Sequence, residues 1–129
     1  MTLINYKVPL KENGQNKNIK VATLDESILR KFGFTDSRKG YWYYCRNVHH
    51  DKKFDDSITF NISFRKKDGK ELMIDILDED FCQPYDYQKF LKNNPDHEYA
   101  LEVHKNVQEI MSKLMSAEII TGYKPNDYI

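Results

Sequence analysis

Histidine, aspartate and cysteine side chains, the residue types that bind metals, lie close together before the middle of the chain. His49, His50 and Asp51 are consecutive, Cys45 lies upstream, and two further aspartates occupy positions 55 and 56. A structural zinc site needs four such ligands and a catalytic zinc site needs three, usually at a recognisable spacing. No later pair of histidines or cysteines completes a known zinc pattern. We therefore expect a solvated, mobile loop over residues 49–57 and predict no bound metal.

Carboxylates form a second group with chemical potential, and they consist of Asp75, Asp78, Glu79, Asp80 and Asp86. Such a group could hold magnesium or act as an acid–base pair. Only Asp78 and Asp80 share a face of an extended strand, and neither an EF-hand spacing nor a nuclease-like carboxylate–lysine pattern is present. We predict an acidic surface that ends a strand and that could dock a basic partner.

The remaining signatures of catalysis are missing from the sequence. His97 and His104 are seven residues apart on a predicted helix, but no third group at suitable spacing accompanies them, so we expect both at the surface. There is no G-x-S-x-G motif, no phosphate-binding glycine loop and no dinucleotide fingerprint. The chain is therefore predicted not to be an enzyme and to use no cofactor.

The composition describes one soluble domain without a strong net charge. The 129 residues include 20 basic and 20 acidic side chains, and the basic ones are concentrated in residues 38–70 and the acidic ones in residues 71–104. A net charge of zero argues against binding to the phosphates of a nucleic acid, because proteins that bind them normally have a strongly basic surface. The two cysteines, the missing secretory signal and the missing apolar span favour a cytoplasmic protein with reduced thiols and no membrane partner.

A β-hairpin is the clearest structural prediction. Apolar and polar residues alternate from Ile58 to Arg65, and a second apolar run ends at Leu77. A two-residue loop would place a carboxylate on the apolar face. A three- or five-residue loop instead pairs Phe64 with Leu72, Ile62 with Ile74 and Phe60 with Ile76, and sets Arg65 opposite Glu71. The second register should therefore form, with Gly69 at positive φ.

Four successive aromatic residues begin the strand that we predict before this hairpin, from Tyr41 to Val48. They are Tyr41, Trp42, Tyr43 and Tyr44. Because side chains alternate along a strand, two rings must lie on each face of the sheet. One pair can join the core. The other pair is either covered by another part of the chain or forms a binding surface.

Two helices flank the predicted sheet, and the C-terminal one is long. Thr23–Glu26 has capping-box spacing, which predicts a short helix that buries Leu24, Ile28 and Leu29 and ends at Gly33. Thr35 to Gly40 should form a turn.

The second helix is predicted from about Pro95 to Ala117, with Asn94 as the N-cap. Its apolar stripe should cover the sheet and consists of Ala100, Val103, Val107, Ile110, Met111, Leu114 and Ala117.

Other segments are predicted to be short or loosely held. A further short helix, Tyr85 to Lys92, should begin with Pro84 in its first turn and bury Tyr87 and Leu91. Residues 1–22 are predicted to form a loosely held arm with at most one edge strand, and residues 23–129 a single α+β domain.

The predicted order of helix, three-stranded meander and long helix over residues 23–117 resembles that of double-stranded-RNA-binding domains. Those domains carry lysines at the start of the last helix, where this chain reads Pro95-Asp96-His97-Glu98, of opposite charge. The sequence is rich in Lys, Asn, Ile and Tyr. In this composition, and in the stretches 77–88 and 122–129, it is similar to small uncharacterised proteins of phages and mobile elements of low-GC Gram-positive bacteria. That resemblance implies no catalytic motif.

Three functions are compatible with these observations. The leading hypothesis is a non-enzymatic protein-binding module, an inhibitor or adaptor of phage type, that docks through the aromatic run 41–44 and the acidic residues Asp78, Glu79 and Asp80. The second is a nucleic-acid-binding protein, for which the candidate residues are Arg46, Lys52, Lys53, Arg65, Lys66 and Lys67. A metal-dependent enzyme is the third.

Overall fold

The structure, a computed structural model, describes residues 19–36, 39–51, 56–78, 83–85, 87, 91 and 93–123. The elements in chain order are β1 (Lys20–Val21), α1 (Glu26–Phe32), β2 (Thr35–Asp36), β3 (Tyr41–Asp51), β4 (Asp56–Arg65), β5 (Met73–Asp78), β6 (Gln83–Pro84), α2 (Glu98–Ser116) and β7 (Ile120–Thr121). The α+β class, the antiparallel meander and the long C-terminal helix are thus confirmed.

The main sheet has five antiparallel strands in the order β2-β3-β4-β5-β6. Its central register is the predicted one, because Phe60 lies opposite Ile76 and Ile62 lies opposite Ile74. All four of these side chains are at most 4% exposed. Gly69 has φ of 73°, as the turn prediction requires. The alternation of apolar residues therefore determined both the face and the register of the hairpin.

Two predictions about loops were wrong, because the strands extend further than expected. Residues 49–51 continue β3, so that His49 pairs with Ile58 and His50 with Ser57. Their alternation is hidden in the sequence by a β-bulge between Asn47 and His49, which shifts the side-chain parity by one residue. Thr35 and Asp36, expected in a turn, form the short edge strand β2.

The predicted apolar stripe of α2 covers the sheet. Six of its seven members are at most 2% exposed and Ala117 is half-buried; the six are Ala100, Val103, Val107, Ile110, Met111 and Leu114. The predicted N-cap was wrong. The backbone carbonyl of Asn94 accepts from the N–H of His97 at 3.0 Å, so Pro95 lies in a preceding turn. His97 caps the helix instead, and its Nδ1 accepts from the N–H of Ala100 at 3.2 Å.

The cap of α1 also differs from the prediction. Asp25, not Thr23, is the N-cap, and its Oδ1 accepts from the N–H groups of Ser27 and Ile28 at 2.9 and 3.2 Å. A carboxylate satisfies two donors here and also suits the positive end of the helix dipole. The helix buries Leu29 but not Ile28, which is 40% exposed.

Leu24, which precedes this cap, was also expected to be buried and is 39% exposed.

A small antiparallel ribbon joins the first and last described parts of the chain. Lys20 lies opposite Thr121 and Val21 opposite Ile120, while Ala22 donates its N–H to the carbonyl of Ile119 at 2.8 Å. The last residues of the predicted arm therefore form β1, whereas the apolar run 3–10, for which an edge strand was allowed, lies outside the described residues. The rest of that arm, residues 1–18, lies outside the described residues, and the predicted boundary at residue 22 stays a prediction.

Gln83 and Pro84, which were predicted to lead into a short helix, form the short strand β6. Gln83 and Pro84 pair with β5, and the N–H of Tyr85 donates to the carbonyl of Ile76 at 2.9 Å. Pro84 is tolerated because this is an edge strand. Tyr87 and Leu91 are helical and buried, as predicted. The rest of the predicted helix 85–92 lies outside the described residues.

Candidate functional site

The aromatic run 41–44 divides between the two faces of the sheet, as predicted. Trp42 lies on the core face opposite Phe64 and is 3% exposed. The guanidinium carbon of Arg30 lies 5.2 Å from the centroid of a Trp42 ring. Nζ of Lys66 also lies over Trp42, 4.9 Å from a ring centroid. These are cation–π distances. The tryptophan therefore joins α1 to the hairpin and presents almost no surface to a partner.

Of the other three rings, only Tyr43 exposes a substantial surface. Tyr44 is half-buried against Phe32, with ring centroids 5.1 Å apart. The hydroxyl of Tyr41 donates to Glu71 at 3.0 Å, and this bond raises the pKa of the Tyr41 phenol. Tyr43 is 38% exposed on the outer face. One ring is too little for the docking surface predicted from four.

The outer face also carries an exposed free thiol. Cys45 lies opposite Asn61 on β4 and forms no disulfide with the described part of the chain. Cys82 lies outside the described residues.

The basic residues at the hairpin turn are paired with carboxylates. Arg65 contacts Asp68 at 2.6 Å and Glu71 at 2.9 Å. The hydrogen bond from Arg65, followed by that from the Lys70 N–H, lowers the pKa of Asp68 to about 2. Lys66 contacts Asp36 at 2.7 Å. Phosphate binding at this turn would have to displace these carboxylates.

The other candidate cations are dispersed. Arg46 is exposed and lines a small cleft of about 90 Å³ between β3 and α2, together with Glu109. Lys67 is exposed in the hairpin turn. Lys52 and Lys53 lie outside the described residues. Of the candidate cations that the structure describes, Arg65 and Lys66 are therefore paired with carboxylates, while Arg46 and Lys67 lie apart from each other on β3 and in the hairpin turn.

The acidic run was expected on an exposed surface, and for Asp78 this expectation was wrong. Asp78 lies opposite Ile58 at the end of β5 and is only 8% exposed. It is buried because its position shares the core-facing parity of Ile74 and Ile76. Glu79, Asp80 and Asp86 lie outside the described residues.

The β-bulge turns His49 toward α2. Its ring packs against Tyr99 at a centroid distance of 3.6 Å, and its Nδ1 contacts the carboxylate of Glu102. The side chain of His49 is 15% exposed. Within the described ranges no three His, Cys, Asp or Glu side chains are placed to hold a metal ion. His49 thus fastens the end of β3 to α2 and does not point into a loop.

The two helical histidines, expected at the surface, are half-buried. His97 caps α2. The ring of His104 lies 5.7 Å from that of the buried Tyr87. Both therefore take part in packing.

An open groove, which the sequence did not reveal, lies between α1 and the β1–β7 ribbon. Its volume is about 370 Å³, and its lining residues are Ala22, Thr23, Ile28, Met115, Glu118, Ile120 and Thr121. Ile28 forms an exposed wall, while Ile120 is 1% exposed and forms part of the base. Leu24 adds a second exposed apolar side chain close by, since it follows Thr23 and packs near Gly69 of the hairpin turn.

No simple sequence signal could have identified this groove. Its lining comes from two stretches that are far apart in the sequence, residues 22–28 and residues 115–121, the second of which joins the end of α2 to β7. The predicted burial of Ile28 concealed it further, because a buried side chain could not form an exposed wall.

Glu118 is the charged side chain among the groove residues, and it has an unusual backbone conformation. It follows the C-cap Ala117 of α2 and has φ of 59°. Its N–H donates to the carbonyl of Met115 at 3.0 Å, and the N–H of Ile119 donates to Leu114 at 2.9 Å. These two bonds define a Schellman motif, in which Glu118 occupies the position that usually holds glycine.

Comparisons with known proteins give a likeness of fold. No family model and no curated protein match the chain. Among solved structures, a crystal structure of a DUF1831 family protein from Lactobacillus plantarum is similar, with a TM-score of 0.60 and 14% identity over 79% of this chain and 82% of that chain. This source agrees with the predicted resemblance to proteins of low-GC Gram-positive bacteria; the phage or mobile-element part stays a prediction. None of the helices that the structure describes is long and apolar enough to cross a membrane.

Proposed function

We propose that the protein is a non-enzymatic protein-binding module and that its docking surface is the groove between α1 and the β1–β7 ribbon. The observation that carries this proposal is the exposure of Ile28, which is 40% accessible on the wall of an open cavity of about 370 Å³. Concave surfaces lined by apolar side chains and a few polar groups are where proteins bind ligands and peptide segments.

The size of the groove suits one or two side chains of a partner. Leucine or isoleucine side chains inserted beside Ile28 and Met115 would be removed from water, which contributes about 1.5–3 kcal/mol for each fully buried side chain. The rim supplies polar groups through Thr23, Thr121 and Glu118. Such a mixture of apolar base and polar rim is typical of protein interfaces.

The proposed setting is the cytoplasm of a low-GC Gram-positive bacterium, where the protein would act as an inhibitor or adaptor encoded by a phage or a mobile element. The composition and the two sequence stretches that resemble such proteins support this part of the proposal. The partner would be a bacterial or phage protein.

Nucleic-acid binding is the weaker alternative. Phosphate contacts supply most of the non-specific affinity of nucleic-acid-binding proteins, and they require available cations. In this fold Arg65 and Lys66 are paired with carboxylates, and Arg46 lies beside Glu109.

Affinity capture with a groove variant tests the proposal. Wild-type protein, Ile28→Asp and Leu101→Asp would each be immobilised and exposed to lysate of a low-GC Gram-positive bacterium, with and without nuclease. Leu101→Asp is the matched control, since Leu101 is a 42% exposed apolar residue on α2 that does not line the groove. Circular dichroism would first establish that both variants are folded.

We expect the same protein to be captured by the wild type and by Leu101→Asp, with or without nuclease, and to be lost with Ile28→Asp. Capture that Ile28→Asp leaves intact would contradict the groove assignment. Capture that nuclease treatment abolishes would favour the nucleic-acid alternative.

A further inference from the structure

The conformation of Glu118 is costly for a residue of its type. Left-handed backbone with φ of 59° is readily adopted by glycine and, to a lesser degree, asparagine, whereas the Cβ of other L-residues crowds the following carbonyl oxygen. Helices that end in a Schellman motif therefore usually have glycine at this position. In the backbone geometry of this site nothing requires a glutamate.

The negative charge of Glu118 also disfavours the α2 helix, because it lies at the helix's carboxyl end. The carboxyl end of a helix carries a partial negative charge, which favours lysine, arginine or histidine nearby and disfavours a carboxylate. Glu118 follows the C-cap residue directly. Both the conformation and the charge at this position thus reduce the stability of the fold.

Glu71 gives a useful contrast, because it is the other described non-glycine residue with positive φ, also 59°. The carboxylate of Glu71 accepts from the hydroxyl of Tyr41 at 3.0 Å and pairs with Arg65 at 2.9 Å. These contacts explain why a glutamate occupies position 71 in spite of its positive φ. Within the described part of the chain the carboxylate of Glu118 has no ion-pair partner, and the side chain is exposed at the groove.

Residues that break local rules without a structural compensation are expected at functional sites. We propose that the Glu118 carboxylate binds a lysine or arginine of the partner, so that the ligand of the groove is a short peptide segment with one or two apolar side chains and an adjacent cation. This inference rests on the proposed function and adds the chemistry of the partner. The apolar side chains lie against Ile28 and Met115, and the cation pairs with Glu118.

Selection from a random peptide library tests the inference without knowledge of the natural partner. Peptides displayed on phage would be selected on the immobilised wild-type protein and counter-selected on Ile28→Asp, so that only peptides that need the groove remain. We expect these peptides to share a lysine or arginine next to an apolar pair. A parallel selection on Glu118→Lys should enrich aspartate or glutamate at the same place.

Direct binding measurements complete the test. The affinity of a selected peptide should fall about two- to fivefold on Glu118→Gln, because an ion pair of an exposed carboxylate is screened by solvent and contributes modestly. It should also weaken with rising salt for the wild type and change little for the variant. Glu118→Gly should lose the same affinity while its melting temperature rises, which separates loss of the carboxylate from damage to the fold.

The outcomes distinguish this inference from the function on which it rests. Ile28-dependent peptides without a basic residue, or peptides that bind Glu118→Gln as well as the wild type, would overturn the inference and leave the docking function standing. A library that yields no Ile28-dependent peptide would likewise overturn the inference of a short peptide ligand, whereas the docking function is overturned when affinity capture is unaffected by Ile28→Asp.

Discussion

At the scale of single residues, the turn between β4 and β5 is fixed by glycine and by ion pairs. The N–H of Gly69 donates to the carbonyl of Arg65 at 2.8 Å, and the N–H of Arg65 donates to Lys70 at 2.9 Å. The Arg65 guanidinium joins Asp68 and Glu71 above this backbone. Conformation and charge therefore restrain the same few residues.

Gly69→Val should destabilise the protein by about 1–3 kcal/mol. At φ of 73° a side chain is strained, and a Cβ at this position would lie 3.2 Å from Cβ of Val21. Gly69→Asn should cost less, because asparagine tolerates left-handed backbone better. Urea denaturation of the three proteins measures the difference. Equal stability of the wild type and the Val variant would refute the turn assignment.

Asp68 should make the stability depend on pH in the acid range. Its folded pKa of about 2 lies below the ordinary value of about 3.9, so its contribution is present above about pH 4 and is lost as the pH falls toward 2. Asp68→Asn should therefore lose less stability than the wild type between these values. Thermal melts from pH 2 to 5 provide the measurement. Arg65→Met should flatten the same region, since Arg65 is the main cause of the shift, and an unchanged slope in both variants would contradict this origin.

At the scale of elements, the features that the sequence predicted correctly are those that follow from the periodic spacing of apolar residues. The alternation from Ile58 to Arg65 determined a register, and the stripe of α2 determined which face is buried. It did not predict the helix starts, because Thr23, Asp25, Asn94 and His97 can all accept from backbone N–H groups, and tertiary packing selects among such candidates.

The stripe of α2 permits a direct test of its packing on the sheet. Ile110→Ala should destabilise by about 2–5 kcal/mol, because Ile110 is 2% exposed and its removal leaves a cavity. Leu101→Ala on the same helix is the matched control and should change the stability by less than about 1 kcal/mol, because Leu101 is 42% exposed. Chemical denaturation of both variants would show similar losses if α2 were not the cover of the sheet.

At the scale of the whole molecule, folding mixes the two charge blocks of the sequence. Arg65 of the basic block meets Glu71 of the acidic block. A dipolar sequence therefore does not give a dipolar hairpin. The groove was not predictable from the sequence for the same reason, since its lining residues are adjacent in space only after the two distant segments 22–28 and 115–121 have come together.

The β1–β7 ribbon has a consequence for the order of folding. It joins Lys20 to Thr121, partners about a hundred positions apart, by only two residue pairs. Closing so long a loop costs chain entropy, and two pairs return little of it until the meander and α2 are already in place. We therefore infer that the ribbon forms late. Because β7 lines the groove, a docking partner would meet a complete site only on chains that have finished folding, and a nascent or partly unfolded chain would escape recognition.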